Sequence, residues 1–392
     1  MDLFAKCYAP SMADQYREKG IYPYFRALET RQGPEVVMEG KRRIMLGSNN
    51  YLGLTSCPEV VEAGIKALEE FGTGCSGSRF LNGTLTLHLE LEDELARFLR
   101  KEAVMTFSTG FQSNLGIISA LVGRSDYMIL DRENHASIYD GTRLSFGKML
   151  RYRHGDMADL ERCLQQVPES AGALIVTDGV FSMGGDIADL PNIVRLAKQY
   201  GARVMVDDAH GLGTIGEGGR GTASFFGLEK EVDVYMGTFS KSLASLGGYM
   251  AADARVVDYV RHASRPFIFS ASIPPASCAT ALAALRYLEQ HPELPQRLSD
   301  LGEHFRTALK SRGMAIRESK TPSVPIFTYT MDRTMIVAKE LYENGVYVNT
   351  VLPPAAPTDG CMLRTSLMAT HTEALLDEAA DVLQRVLQAD NE

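Results

Sequence analysis

The sequence predicts an α/β fold built on a mostly parallel sheet with helices on both faces. Two observations carry this. Between residues 58 and 275, short β-rich runs (AVMTFSTG, YMILD, ALIVTDGVFS, ARVMVDDAHG, VDVYMGTFSK, GYMAAD) alternate with amphipathic stretches, the pattern of a sheet whose strands are joined by crossover helices. Several of the runs also end in a polar or glycine-rich turn, and in open α/β sheets ligands bind just beyond the carboxyl ends of the strands.

The elements follow in order. Residues 1–45 read as an arm, polar and irregular with one helical stretch. It leads into RIMLGSNNYLGL, a short strand candidate broken by Gly47 and the Asn49/Asn50 pair. Residues 46–275 hold the alternating pattern and form the large, ligand-binding domain. From 276 to 392 the texture changes. IPPASCATALAALRYLEQH opens on a proline pair and becomes a helix, VPIFTYT and GVYVNT read as strands, and TEALLDEAADVLQRVLQ places apolar residues at three- and four-residue spacings, as a core-facing helix does. This predicts a second, smaller α+β domain. Neither an internal repeat nor a low-complexity tract interrupts the chain.

Composition narrows the function. At 392 residues, 45% hydrophobic and 23% charged, the chain can bury a large core, and disorder is excluded. The net charge is −9 and the longest basic run is the short KRR at Lys41–Arg43, so no electrostatic footprint for nucleic acid exists. The six cysteines lie far apart without a CxxC pair, which argues for reduced thiols rather than a disulfide framework or a zinc ribbon. The first residues lack the apolar core of a signal peptide, and no apolar run approaches the ~18 residues of a membrane span. A cytoplasmic location is expected, with any membrane contact peripheral and on the inner face.

Three strand ends carry candidate chemistry. In FSTGFQSNLG, Ser108, Thr109 and Gly110 precede a helix; free N–H groups and hydroxyls make a phosphate cradle, although a plain helix cap explains the same residues. The stretch has neither the lysine of a P-loop nor a GxGxxG turn. In VMVDDAHG, an apolar strand delivers Asp207, Asp208 and His210 to its end, a set equally open to metal binding or to a cap plus a core histidine. In MGTFSKSLASLGGY, Lys241 sits between Ser240 and Ser242 in a small-residue loop, which suits a desolvated Schiff-base amine as well as a solvated lysine. Taken together, the three point to pyridoxal phosphate. Its aldehyde wants an amine, its ring nitrogen an anion, and its phosphate N–H and O–H donors.

Across the chain, GTGCSGSRFLNGTLTLHLELE (72–92), HAS (135–137), FSMGGD (181–186), VDDAHG, GTFSKS, FSASIPP (269–275) and LRTSLMATHT (363–372) resemble the α-oxoamine synthases, in that family's order from about residue 20 onward. The resemblance implies the fold type I of pyridoxal-phosphate-dependent transferases, with a seven-stranded sheet between helices, and a reaction that condenses an amino acid with an acyl-CoA and releases carbon dioxide. It implies that Lys241 forms the Schiff base and later removes the α-proton, that Asp207 faces the ring nitrogen, that His210 meets the phenolic oxygen with Ser182 nearby, and that His135 stacks on the ring and donates to the substrate carboxylate. It places the phosphate on the N–H groups of Gly110 and Phe111 and the hydroxyls of Thr238 and Ser240. It further implies a homodimer with a shared active site to which a neighbouring subunit adds Ser272. It implies too that Arg364 grips the substrate carboxylate as a bidentate fork, with Asn50 also on the substrate, and that no metal takes part.

Within the family, FSKS around Lys241, PPAAP at 353–357 and TGFQSNLG with GTGCSGSRFLNGT lean to the branch that joins L-serine to palmitoyl-CoA, giving 3-oxosphinganine in the first step of sphingolipid synthesis. Two residues depart from that branch. Ala356 replaces a threonine of the loop, and Leu352 stands where some members carry an arginine. The sister reactions, glycine C-acetyltransferase and 8-amino-7-oxononanoate synthase, remain alternatives, as does a lyase or aminotransferase of the same fold. A non-catalytic regulatory subunit is the remote alternative, since Lys241, Asp207, His135 and His210 are all present.

Overall fold

The pleat of the central sheet sets the architecture. In a computed structural model that describes residues 1–389, the strands are β1 (Glu35–Met38), β2 (Lys41–Met45), β3 (Ala103–Phe107), β4 (Tyr127–Asp131), β5 (Lys148–Tyr152), β6 (Ala173–Asp178), β7 (Arg203–Asp207), β8 (Val234–Thr238), β9 (Gly248–Ala252), β10 (Ser323–Tyr329), β11 (Val346–Tyr347), β12 (Asn349–Val351) and β13 (Cys361–Ser366). Seven of them form one sheet in the order β3-β9-β8-β7-β6-β4-β5. All run parallel except β9, which is antiparallel to both its neighbours. The seven-stranded, mostly parallel sheet read from the sequence is thus present. The strand absent from that reading is β5 at the edge, whose residues KMLRY are largely exposed.

Alternate residues of each strand enter opposite cores, as a period of two requires. Ile129, Ile175, Val204 and Val206 join the helices Thr86–Leu99, Leu190–Tyr200 and Pro275–Gln290 on one face. Met128, Leu174, Val176 and Met205 join Gly110–Leu121, Ala136–Leu144 and Ala254–Ala263 on the other. Each fully buried aliphatic side chain contributes roughly 1.5–3 kcal/mol, so the sheet is held from both sides and its carboxyl ends become fixed points. Asp178, Asp207 and Thr238 all stand there, with Asp178 beside Asp207 and Asp207 beside Met236 in register.

The C-terminal part packs the helices Leu294–Ser311, Met331–Glu343 and Glu373–Ala389 with the antiparallel sheet β10-β13-β12. The N-terminal hairpin β1–β2 joins it. β2 pairs in parallel with β11, and Ile44, Leu46 and Tyr51 lie in the same apolar cluster as Phe305, Leu341 and Leu376. The chain therefore carries Asn49 and Tyr51 from this unit toward the end of the large sheet.

Candidate active site

Two cavities meet at the carboxyl ends of β6, β7 and β8, and they share His135, His210 and Lys241. The first, of about 280 Å³, is lined by Gly110, Phe111, Asp207, Thr238 and Ser240 among others. The second, of about 380 Å³, reaches Asn49, Ser182, Met183 and Arg364, with Pro23 and Tyr24 of the N-terminal arm on its wall.

One end of the first cavity is a cluster of donors. Thr109 caps the helix Gly110–Leu121, its Oγ1 accepting the Gln112 N–H at 3.1 Å. This leaves the first N–H groups of the helix, those of Gly110 and Phe111, without intrahelical partners. Thr238 and Ser240 lie alongside, with their hydroxyls 2.9 Å apart. Gly110 is needed for this approach, because a Cβ there would come within 2.8 Å of Thr238 Oγ1. The result is a neutral, donor-rich pocket at a helix start, suited to a phosphate.

The floor is a carboxylate. Asp207 Oδ2 accepts from Asn114 Nδ2 at 2.7 Å and Oδ1 accepts the Ala209 N–H at 3.1 Å. Asn114 also donates to Ser137 Oγ at 2.8 Å, and that hydroxyl lies 2.7 Å from His135 Nδ1. His135 Nδ1 accepts the Ser137 N–H at 3.3 Å, so the neutral imidazole carries its proton on Nε2. Burial lowers the His135 pKa. Asp178, beside Asp207, is pushed well up by burial and by the Asp207 charge, and it accepts the His135 N–H at 3.2 Å. Asp208, the third acid of the motif, turns away. Its two oxygens take the Thr222 hydroxyl and N–H at 2.6 and 2.7 Å, and burial pushes it up to about 6. Among the described residues no cluster of three or more His, Cys, Asp or Glu forms a metal site.

Lys241 stands where the cavities join, on the loop between β8 and β9. Ser242 Oγ donates to Leu212 O at 2.6 Å and Ala244 N to Lys241 O at 3.0 Å, which fixes the loop. Burial, with the nearby Arg364 charge adding and Asp207 opposing, brings the lysine down to about 8. Burial followed by the Lys241 and Arg364 charges holds His210 well below its ordinary value, and its Nδ1 lies 2.7 Å from the Tyr51 hydroxyl.

Arg364 is buried in the second cavity's wall. Its Nε donates to Ser182 O, Nη1 to Asn49 Oδ1 at 3.0 Å, and Nη2 to Tyr51 OH at 3.0 Å and Ser323 Oγ at 3.2 Å. One Nη1 hydrogen is left, so a two-pronged grip on a carboxylate requires Asn49 to yield or to add its own amide. The loop bearing Ser182 is clamped in turn. His154 bridges Asp131 at 3.0 Å and Asp186 at 2.9 Å, and Arg317 Nη2 reaches Asp186 at 3.3 Å from the far side. Burial opposes the charge on His154, but the two carboxylate contacts outweigh it and push the imidazole up to about 10.

The structure brings Thr109, Gly110, Phe111, His135, Asp207, His210, Thr238, Ser240 and Lys241 into one cavity, with Ser182 and Arg364 in the adjoining one. Three residues of the sequence reading lie elsewhere. Asn50 bonds Thr55 Oγ1 at 2.7 Å in its own turn, and Asn49 faces the cavity instead. Ser108 donates to Ala271 O, and Ser272 donates to Gly77 O at 3.1 Å; both border a small separate space beside Arg79 and Gln112. The sequence reading missed Asn49, Tyr51, Asn114 and Asp178. Only the SNNY and VTDG strand ends hinted at any of them.

The donor cradle, the amine and the opposed carboxylate fit pyridoxal phosphate, and comparison with known proteins agrees. Residues 41–383 match the family described as Aminotransferase class I and II. The chain is 50% identical to serine palmitoyltransferase of Sphingobacterium spiritivorum, over 96% of this chain and 95% of that one. It is 46% identical to 8-amino-7-oxononanoate synthase of Geobacter sulfurreducens, over 95% and 96%. A solved serine palmitoyltransferase with pyridoxal phosphate as its internal aldimine superposes over the whole of both chains, with a TM-score of 0.97 and 38% identity. The enzyme of Sphingomonas wittichii gives 0.96 and 37%, over 100% of this chain and 99% of that one. The chain belongs to the α-oxoamine synthases of the class I and II aminotransferase family, fold type I acyltransferases that depend on pyridoxal phosphate.

Proposed function

We propose that the chain condenses L-serine with palmitoyl-CoA, releasing CoA and carbon dioxide and forming 3-oxosphinganine. The observation that carries the chemistry is the position of Lys241 at the junction of a cavity lined by Gly110, Phe111, Thr238, Ser240 and Asp207 and one walled by Arg364. The likeness to serine palmitoyltransferases over the full chain supports the substrate pair. The 46% identity to an 8-amino-7-oxononanoate synthase supports a second reading, in which L-alanine and a shorter acyl-CoA react in the same way.

Pyridoxal phosphate, when bound, supplies an aldehyde for the amine of the substrate and a ring that takes up the electron pair left at Cα. Gly110, Phe111, Thr238 and Ser240 would hold its phosphate, Lys241 would meet its aldehyde, and Asp207 would keep its ring nitrogen protonated. Arg364 would hold and orient the substrate carboxylate from the wall of the second cavity. Lys241 Nζ, once free, removes the α-proton. Cα then attacks the thioester carbonyl, the C–S bond breaks and CoA leaves. Loss of carbon dioxide follows, and a proton returns to Cα. An amine brought down to about 8 is a better base near neutral pH than an ordinary lysine at ~10.4.

The fully assembled site is a homodimer in this reading. Phe111 and Leu246 line the cofactor cavity and are exposed, as are Phe80, Leu81 at 76% and Phe269 at 73%; exposed apolar side chains of this size support an interface. That Ser272 lies outside the cavity of its own chain supports the reading in which it serves the second one. No helix of the described residues is long and apolar enough to cross a membrane; we place the enzyme in the cytoplasm, meeting the membrane peripherally to exchange its lipid.

The test is release of free thiol by the purified holoenzyme with three substrate pairs: L-serine and palmitoyl-CoA, glycine and acetyl-CoA, L-alanine and pimeloyl-CoA. Release confined to the first, with a product mass of 3-oxosphinganine, is the expected result. Release confined to either of the others moves the chain to a sister reaction.

A further inference from the structure

Tyr51 lines neither cavity, yet its hydroxyl bonds one side chain that faces the cofactor cavity and another that walls the adjoining one. It is 1% exposed. Its ring is rooted in the C-terminal cluster with Leu367 and Ala369, and its backbone carbonyl accepts the Ala369 N–H at 2.7 Å. Its hydroxyl leaves that cluster and meets His210 Nδ1 at 2.7 Å, Arg364 Nη2 at 3.0 Å and, more distantly, Asn49 Oδ1 at 3.4 Å. We propose that Tyr51 is a positioning residue that ties the substrate-facing Arg364 to the cofactor-facing His210 and fixes the proton of His210 on Nε2.

The donor inventory supports the assignment. A guanidinium only donates, so Tyr51 Oη accepts from Arg364 and has a single hydrogen to give. Of the two remaining neighbours, His210 Nδ1 is nearer by a wide margin. Burial first, and then the neighbouring Lys241, Arg364 and His135, disfavours a second proton on the His210 imidazole, which Tyr51 meets at Nδ1. A neutral imidazole that accepts at Nδ1 must donate at Nε2, and His210 lines both cavities. Without the hydroxyl, Nδ1 becomes a buried nitrogen with no partner and the tautomer is released. Arg364 loses one of two acceptors on Nη2, Ser323 being the other. The same atom thus governs a donor toward the cofactor and the aim of a cation toward the substrate, from a residue whose ring is fixed in the core.

The inference rests on the roles given above to His210 and Arg364, and the experiment separates the two. Tyr51→Phe keeps the ring and removes only the hydroxyl. In the holoenzyme, the pH midpoint of the cofactor's visible absorbance is titrated, and binding of L-serine, glycine or L-alanine, whichever binds best, is followed by the absorbance change. The expected result is a midpoint displaced by about one pH unit and amino-acid binding weakened about tenfold, in keeping with the loss of a hydrogen bond to a charged group. Ser323→Ala, which removes the other Nη2 acceptor, is expected to weaken amino-acid binding while leaving the midpoint in place. A Tyr51→Phe holoenzyme with the wild-type midpoint overturns the proposal, whatever its thermal stability, because a purely structural role moves the melting temperature and not the titration. If Arg364→Lys leaves amino-acid binding intact, the reading of Arg364 fails, and the half of the proposal that concerns His210 is still decided by the midpoint.

Discussion

At the scale of single residues the account turns on Lys241. Replacing it with alanine removes the amine at the junction of the two cavities, and turnover measured as thiol release is expected to fall ~10³-fold or more, the range for loss of a positioned general base. With the wild-type lysine brought down to about 8 by burial, only the neutral form accepts a proton. The turnover number is therefore expected to rise between pH 7 and 9 and then level, where an ordinary lysine would keep it rising beyond pH 10. A profile flat across this range contradicts the base assignment. Lys241, Asp207 and His210 were legible in the sequence because each follows an apolar strand run whose end a parallel sheet must gather in one place. Asn49 was not, since two adjacent asparagines differ only in which way the turn after β2 presents them. Asn114 was not either: it bonds Asp207, a strand end 93 residues away.

At the scale of elements, the site is held by supports of unequal visibility. The helix Gly110–Leu121 announces itself through Thr109 and Gly110, and its cap and free N–H groups are what local sequence encodes. The clamp on the 181–186 loop is different. His154, Asp131, Asp186 and Arg317 come from four separate segments, and no spacing predicts them. Because Ser182 O takes the Nε of Arg364, loosening this clamp disturbs the substrate side before the cofactor side. Arg317→Gln is expected to raise KM for the amino acid several-fold with the turnover number and cofactor absorbance nearly unchanged; an unchanged KM removes the clamp from the account. The edge strand β5 escaped the sequence reading for a related reason. An edge strand buries little, and KMLRY mixes Lys148 and Arg151 with Met149, Leu150 and Tyr152 without strict alternation.

At the scale of the whole molecule, burial of neutral histidines shapes stability. His371 is held down to about 4 by burial, with hydrogen bonds to the backbone opposing, against an ordinary 6.5. Burial also lowers His88 and His210. These groups take up protons more readily in the unfolded chain, so stability is present above pH 6.5 and is lost as pH falls from there toward 4. His154, pushed up to about 10, works in the opposite sense: its contribution is complete below 6.5 and is lost as pH rises through about 10. Melting temperature against pH is therefore expected to peak near neutrality, and His371→Asn to flatten the acid limb. A melting temperature constant from pH 4 to 6.5 contradicts this. The attachment of β2 to β11 was not legible in the sequence, because that pairing joins segments some 300 residues apart.

The central claim is that one site joins an acyl group to an amino acid and expels the amino acid's own carboxylate. The most direct measurement follows the label from L-serine carrying carbon-13 in its carboxyl group, incubated with palmitoyl-CoA and the purified holoenzyme. The account predicts labelled carbon dioxide in step with free CoA, and an unlabelled product with the mass of 3-oxosphinganine. Label retained in an acylated product, or CoA released without carbon dioxide, would contradict it.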